Sequence, residues 1–126
     1  MQFHINPGDE LPIYRQIMRQ ITDAVAGGRV VPGEQLPSHR DLAEQLVIAP
    51  LTVKKAYDEL ERQGLITTQR GRGTFVSEQM PAIEPAERRE RLRDAAQRLL
   101  SQAALSGVSF AEVLSLLKEI QKGMER

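Results

Sequence analysis

The feature that most constrains the fold is a change of sequence pattern between Glu34 and Val76. From about residue 39 to residue 60, apolar residues recur at helical spacing with one break, which is typical of two short helices joined by a turn. Residues 65–76 then change to β-type composition on either side of an Arg-Gly-Arg-Gly tip. Two helices followed directly by a basic hairpin predict a winged helix-turn-helix.

Local signals indicate where two of the helices begin. Ser38 and Asp41 form a capping-box pattern, in which the serine hydroxyl accepts a hydrogen bond from a free backbone N–H and the carboxylate accepts one in return. We therefore expect a helix from about His39. Pro50 suits the first turn of the next helix, because its missing N–H would have no partner there.

Another helix is expected before this region. Isoleucine or valine recurs every four residues from residue 13 to residue 25, which predicts one apolar helix face, and Gly27-Gly28 would end that helix. Phe3-His4-Ile5 is interpreted as a single edge strand. Together these elements predict a mainly α fold with a small β hairpin.

The helix that begins near Pro50 is expected to have two different faces. At about 100° per residue, its apolar residues cluster on one side and should pack on the other helices. These residues are Val53, Ala56, Tyr57 and Leu60. The far side carries Leu51, Lys55, Asp58 and Arg62, with Lys54 on the flank.

Two interpretations of that far side stay open. It is either a solvated surface with Lys54–Asp58 and Lys55–Glu59 pairs, each worth a few tenths of a kcal/mol, or a surface that reads DNA. In the second case Leu51 would contact a thymine methyl group. The hairpin tip allows the same two interpretations. It is either a solvated turn, which Gly71 and Gly73 permit because glycine adopts positive φ, or a surface that contacts DNA. Behind a helix-turn-helix, its arginines are interpreted as reaching phosphates or the minor groove.

Composition excludes several classes of site and protein. The chain has no cysteine, which excludes disulfides and thiolate–metal sites. No apolar run approaches the ~20 residues of a membrane helix, and the N-terminus lacks a signal-peptide core, so we expect a cytoplasmic protein with no membrane partner. His4 and His39 have no second ligand at metal spacing. We expect no enzyme, catalytic residue, metal or cofactor.

The distribution of charge says more than its total. The net charge is zero, but five basic and three acidic residues lie between Lys54 and Arg72. This excess is modest. Affinity for a nucleic acid should therefore depend on where the charges lie and on dimerisation.

The run from Leu11 to Val76 resembles the N-terminal domain of GntR-type bacterial transcriptional regulators. The match covers about half of the chain, and its linked motifs are Pro32-Gly33-Glu34-Gln35-Leu36-Pro37-Ser38, Arg40-Asp41-Leu42-Ala43, Thr52-Val53, Ala56-Tyr57, Leu60-Glu61, Gly64-Leu65-Ile66 and Arg70-Gly71-Arg72-Gly73-Thr74-Phe75-Val76. The resemblance implies that DNA is contacted by Ser38, Arg40, Leu51, Thr52, Lys54, Lys55, Arg70, Gly71, Arg72 and Gly73. Val47 stands where a glycine is usual, and Ala49 and Leu51 replace residues that are often polar or basic. The operator sequence therefore does not transfer from a relative.

The remaining residues predict a separate helical unit. After Met80-Pro81 a linker is expected to run to Pro85, followed by a helix over 86–105 and, after a capping box at Ser109 and Glu112, a second helix. Two amphipathic helices cannot enclose a core alone, so a second copy should complete a four-helix bundle. The expected interface residues are Leu92, Leu99, Leu100, Phe110, Val113, Leu117 and Ile120. The predicted domains are 1–78, which binds DNA, and 79–126, which dimerises.

A winged helix with so short a tail resembles the YtrA-like branch of the family, whereas length argues against the branches with large ligand-binding or aminotransferase-like domains. The resemblance implies a homodimeric repressor of an inverted-repeat operator and, more loosely, of a transporter operon. The alternative is a winged-helix module that binds protein, which the zero net charge favours slightly. A small-molecule effector would have to bind between the winged helix and the helical hairpin or at the dimer interface, and the sequence leaves its existence open.

Overall fold

The computed structural model describes residues 1–79 and 85–124, and within them the chain forms helices and one small sheet. The elements in chain order are α1 (Ile13–Ala26), β1 (Gln35–Leu36), α2 (His39–Leu46), α3 (Pro50–Arg62), β2 (Ile66–Gln69), β3 (Gly73–Val76), α4 (Pro85–Leu105) and α5 (Phe110–Met124). The predicted mainly α class and the hairpin are confirmed. The linker expected after Met80 falls on residues 80–84, which lie outside the described residues.

The chain divides into two compact units, Met1–Pro81 and Ala82–Arg126. In the first unit α1, α2 and α3 enclose the apolar core together with the sheet. Its fully buried side chains include Ile17, Ile21, Leu42, Val53, Leu60, Ile66 and Val76. The predicted inner face of α3 is confirmed, because Val53, Ala56, Tyr57 and Leu60 are all buried.

The starts of α2 and α3 follow from the signals in the sequence. The Asp41 N–H donates to Ser38 Oγ over 3.1 Å, which confirms the serine half of the capping box. Pro50 is the first residue of α3, as predicted. The hydroxyl of Tyr57 on α3 donates to the carbonyl oxygen of Pro37 over 2.8 Å and so ties α3 to the start of α2. Burial raises the pKa of Tyr57, which keeps that hydroxyl a donor.

The sheet has one more strand than the predicted hairpin. Its order is β1-β3-β2, and both pairings are antiparallel. β1 pairs Gln35 with Phe75 and Leu36 with Thr74, so β3 is the central strand. The hairpin closes where the Arg72 N–H donates to the Gln69 carbonyl oxygen over 2.9 Å.

The segment before α1 is not the edge strand that was expected. Residues 1–6 form no strand, and glutamine side chains of α1 satisfy their backbone instead. Gln20 accepts from the His4 N–H and donates to the His4 carbonyl oxygen, at 2.9 and 2.7 Å. Gln16 makes the same pair of bonds with Asn6, at 2.8 and 2.9 Å. Two side chains thus replace the neighbouring strand that a sheet would need.

The second unit is a helical hairpin. The helices pack on each other around a turn at Gly107, where φ is 70°, and Ser109 Oγ accepts from the Glu112 N–H over 3.2 Å. The break and the second capping position are therefore where the sequence predicted them. In the described part of this unit Val113 is the one buried residue.

Across residues 1–79 and 85–124, no helix has the length and apolar character to cross a membrane.

Candidate nucleic-acid interface

The outward face of α3 is one candidate surface for DNA. Leu51 is 77% exposed at the first turn of the helix. Lys54 and Lys55 are exposed, and Thr52 is half-buried. The inner face of the same helix is buried in the core. A leucine left this open, at the leading end of a helix whose outer side is otherwise polar, gains nothing from water and suits contact with a thymine methyl group.

The two lysines of α3 have different partners. Lys54 Nζ lies 2.8 Å from Asp58 Oδ2, as predicted, and an exposed pair of this kind contributes about 0.3–0.5 kcal/mol. The predicted Lys55–Glu59 pair is wrong, because Glu59 pairs with Arg62. Lys55 Nζ instead lies 4.2 Å from the centre of the Tyr14 ring on α1. This cation–π contact takes the place of the expected ion pair with Glu59.

The start of α2 brings two further predicted residues to the surface. Ser38 and Arg40 are both exposed. Ser38 Oγ acts as an acceptor in capping α2, and its O–H can still donate. An arginine and a hydroxyl at a helix start are groups that bind phosphate oxygens in protein–DNA complexes. α2 packs directly against α3.

The hairpin tip exposes its arginines to solvent, and a hydrogen bond from β1 holds its backbone in place. Arg70, Gly71 and Arg72 are exposed, and Gly71 adopts φ 78°, which the third position of this turn requires. Gln35 Nε2 donates to the Arg72 carbonyl oxygen over 3.2 Å. A Cβ on Gly73 would lie 2.6 Å from that nitrogen, so the contact needs a glycine. The tip is therefore held from β1.

Three residues of this surface were missed as functional candidates: Tyr14, Arg15 and Gln35. Tyr14 is half-buried and packs partly against the core, and its ring contacts Lys55. Arg15 Nε donates to the Tyr14 hydroxyl oxygen over 3.2 Å, and this hydrogen bond lowers the pKa of Tyr14. The adjacent aromatic and basic residues at positions 14 and 15 are the one signal in the sequence that points to this contact.

The residues predicted to form the dimer interface lie in the second unit, and their side chains differ in how exposed they are. Val113 is 3% exposed, so it is already buried in the single chain. Leu99 is half-buried. The others are exposed large apolar side chains: Leu92, Leu100, Phe110, Leu117 and Ile120.

The comparisons with known proteins decide the family. The family described as "Bacterial regulatory proteins, gntR family" matches residues 13–76. The chain belongs to the GntR family. This match runs from the start of α1 to the end of β3, so it contains both the helix-turn-helix and the hairpin tip. The GntR domain is thus the part of the chain that carries the predicted DNA contacts.

Relatives extend the similarity beyond the GntR domain. The chain is 38% identical over 92% of its length to the HTH-type transcriptional repressor YtrA of Bacillus subtilis, and covers 89% of that protein. The crystal structure of a transcriptional antiterminator from Listeria monocytogenes EGD-e matches with a TM-score of 0.83 at 33% identity, over 98% of this chain and 92% of that one. The AraR DNA-binding domain, solved in complex with operator ORX1, has a TM-score of 0.54 at 29% identity, over 61% of this chain and 99% of its own.

Val47 has an unusual backbone conformation for a β-branched residue. It follows α2 with φ 56°, in the left-handed region, and is 89% exposed. A β-branched residue in that conformation carries backbone strain of about 1–2 kcal/mol, which a glycine would avoid. The strain lies in the turn between α2 and α3, so the fold keeps the turn despite the side chain.

Proposed function

We propose that the protein represses transcription by binding an inverted-repeat operator as a homodimer. The observation that carries the DNA-binding part is the exposed set formed by the outer face of α3 and the Arg70–Arg72 tip, on a helix-turn-helix whose inner face is buried. The AraR domain solved with its operator supports a DNA target, and the name of the Bacillus subtilis relative supports repression.

In this proposal, α3 reads the sequence and the hairpin tip binds the backbone. Leu51 at the start of α3 would contact thymine methyl groups in the major groove. Arg72 on the braced tip would contact phosphate, which contributes affinity without reading bases. Leu51→Ala should therefore change which operator substitutions are tolerated, whereas Arg72→Ala should weaken all duplexes alike.

Dimerisation is proposed because most large apolar side chains in the described part of the second unit are exposed. A second copy of the same hairpin would cover them in a four-helix bundle. Two-fold symmetry then places the half-sites about one helical turn apart, roughly 34 Å, or a multiple of it. The regulated genes would be a transporter operon, which transcript measurements after deletion of the gene would test.

Fluorescence anisotropy with the gene's own upstream region tests the DNA target. We expect tight binding to that duplex and weaker binding to a scrambled duplex. The titration includes RNA of the same sequence, because one structural relative is described as a transcriptional antiterminator. Tighter binding to RNA, or equal weak binding to every nucleic acid, would contradict the proposal. The second outcome would favour a winged-helix module that binds protein.

A further inference from the structure

Two cations lie against one tyrosine ring at the edge of the outward face of α3. Lys55 Nζ is 4.2 Å from the centre of the Tyr14 ring, and Arg15 Cζ is 5.9 Å from it. Arg15 Nε also donates to the Tyr14 hydroxyl oxygen over 3.2 Å. The first turn of α1 therefore reaches the same surface as α3, outside the helix-turn-helix and the hairpin tip.

The charge of this cluster is positive after its ion pair is counted. Glu59 acts on Tyr14 and Arg15 electrostatically, but its carboxylate is paired with Arg62. The net charge of the cluster is about +2, because three cations lie beside one carboxylate. The cations are Arg15, Lys55 and Arg62, and the carboxylate is that of Glu59. Arg15 and Lys55 repel each other, and the ring that holds them is neutral. An anion between them would relieve that repulsion.

We propose that Arg15 and Lys55 together bind a phosphate of the DNA backbone, with Tyr14 as the positioning residue that holds both. The inference rests on the proposed DNA-binding function and adds a contact made by α1. Phosphate is the acceptor that an arginine fork and a lysine ammonium share. Because Tyr14 already orders both long side chains, less conformational freedom is lost when they bind.

This assignment separates Lys55 from the residues that read bases. A phosphate contact fixes the position of the protein on the duplex but carries no sequence information. Lys55→Ala should therefore weaken operator and scrambled duplex by the same factor, and leave the pattern of tolerated base substitutions unchanged. Leu51→Ala, four residues earlier on the same helix, should change that pattern.

The decisive measurement is the salt dependence of binding by the full chain to both duplexes. Each phosphate contact contributes about 0.9 to the slope of log affinity against log salt, and a dimer loses one such contact from each protomer, so Arg15→Ala should lower the slope by about 1.8. Affinity for both duplexes should fall roughly threefold to tenfold for each lost contact near 0.1 M salt. Arg19→Ala is the matched control, because it removes the same charge from an exposed residue one turn along α1. It should leave the slope unchanged.

Two tyrosine variants test the positioning role. Tyr14→Phe keeps the ring under Lys55 and removes the oxygen that holds Arg15, whereas Tyr14→Leu removes both. Tyr14→Leu should weaken both duplexes more than Tyr14→Phe does, and equal effects would contradict positioning by the ring. Melting temperatures of both variants identify any loss caused by unfolding.

The controls separate failure of this proposal from failure of the proposed function. If Arg15→Ala kept the wild-type slope while Arg72→Ala lowered it, the α1 contact would be wrong and DNA binding would stand. If Arg15→Ala and Arg19→Ala lowered the slope equally, general charge would explain the effect and the proposal would also be wrong. If the unmodified protein bound no duplex, the proposed function itself would fail.

Discussion

The two units of the chain bury their apolar residues very differently. In the first unit α1, α2, α3 and the sheet enclose Ile17, Leu42, Leu60 and other side chains completely. In the described part of the second unit, Val113 is the one buried residue of α4 and α5, and most leucines are exposed. Three helices and a sheet can surround a core, but two helices present only one contact line to each other. The first unit should therefore fold alone, whereas the second should depend on a partner.

Removing the second unit should have the largest effect. A truncated chain ending at Ser77 keeps the whole core of the first unit, so we expect a folded monomer. Two linked winged helices bind their two half-sites about 10²–10⁴-fold more tightly than one winged helix binds one half-site. The truncated chain should lose most of that gain in affinity. Circular dichroism, sedimentation and anisotropy would check folding, mass and affinity.

Two outcomes would contradict that expectation. An unfolded truncated chain would show that the first unit needs the helical hairpin. Unchanged operator affinity, or an intact protein that sediments as a monomer at micromolar concentration while binding tightly, would remove the argument for a dimer.

Matched leucine substitutions compare the two units directly. Leu60→Ala in the closed core should cost about 2–5 kcal/mol of unfolding free energy. Leu117→Ala in the exposed set should cost about 0.6–1.3 kcal/mol of partner contact for each copy, because 43% of Leu117 is left for a partner to bury. Thermal melts over a range of protein concentrations distinguish the two mechanisms.

The concentration dependence is the sensitive part of this comparison. The loss of stability caused by Leu60→Ala should be similar at every protein concentration. Leu117→Ala should instead weaken association and lower the mass observed by sedimentation. Leu105→Ala is the control, because Leu105 is exposed at the end of α4. If Leu117→Ala left the oligomeric state unchanged, the exposed set would not be the interface.

The smallest predicted effect is a gain in stability. Val47→Gly relieves a left-handed backbone at an exposed site, so little packing is lost. Glycine gains freedom in the unfolded chain, which offsets part of that relief, and we expect a net stabilisation of about 0.5–1 kcal/mol. Val31→Gly is the control at an exposed valine without positive φ, and it should destabilise. Chemical denaturation would measure the free energy of unfolding of both variants. A lower value for Val47→Gly than for the unmodified protein would argue against strain at the turn.

Local patterns in the sequence predicted the helices well. The starts of α2, α3 and α5 depend on residues a few positions apart, such as Ser38 with Asp41, and the apolar spacing of α3 identified its buried face. The GntR resemblance also depends on such short motifs, and the family match confirms it.

Contacts between distant residues were the ones that the sequence did not predict. β1 has two residues and is a strand only because β3 lies beside it, about 40 positions later. Lys55 lies against Tyr14 because α1 packs on α3, and a helix considered alone favours Glu59 as its partner. Residues 3–5 were wrongly expected to be a strand, since nothing local indicates that Gln20 binds the His4 backbone and Gln16 the Asn6 backbone.

The central position of β3 has a consequence for folding during synthesis. Both pairings of the sheet use β3, and the Val76 N–H donates to the Glu34 carbonyl oxygen over 2.8 Å. All three helices of the first unit leave the ribosome before β3 does, because chains are made from the N-terminus. Until residue 76 emerges, Gln35 and Leu36 have no strand to pair with and the arginine tip has no brace. The helices can therefore pack early, while the hairpin reaches its final position only after the last strand has left the ribosome.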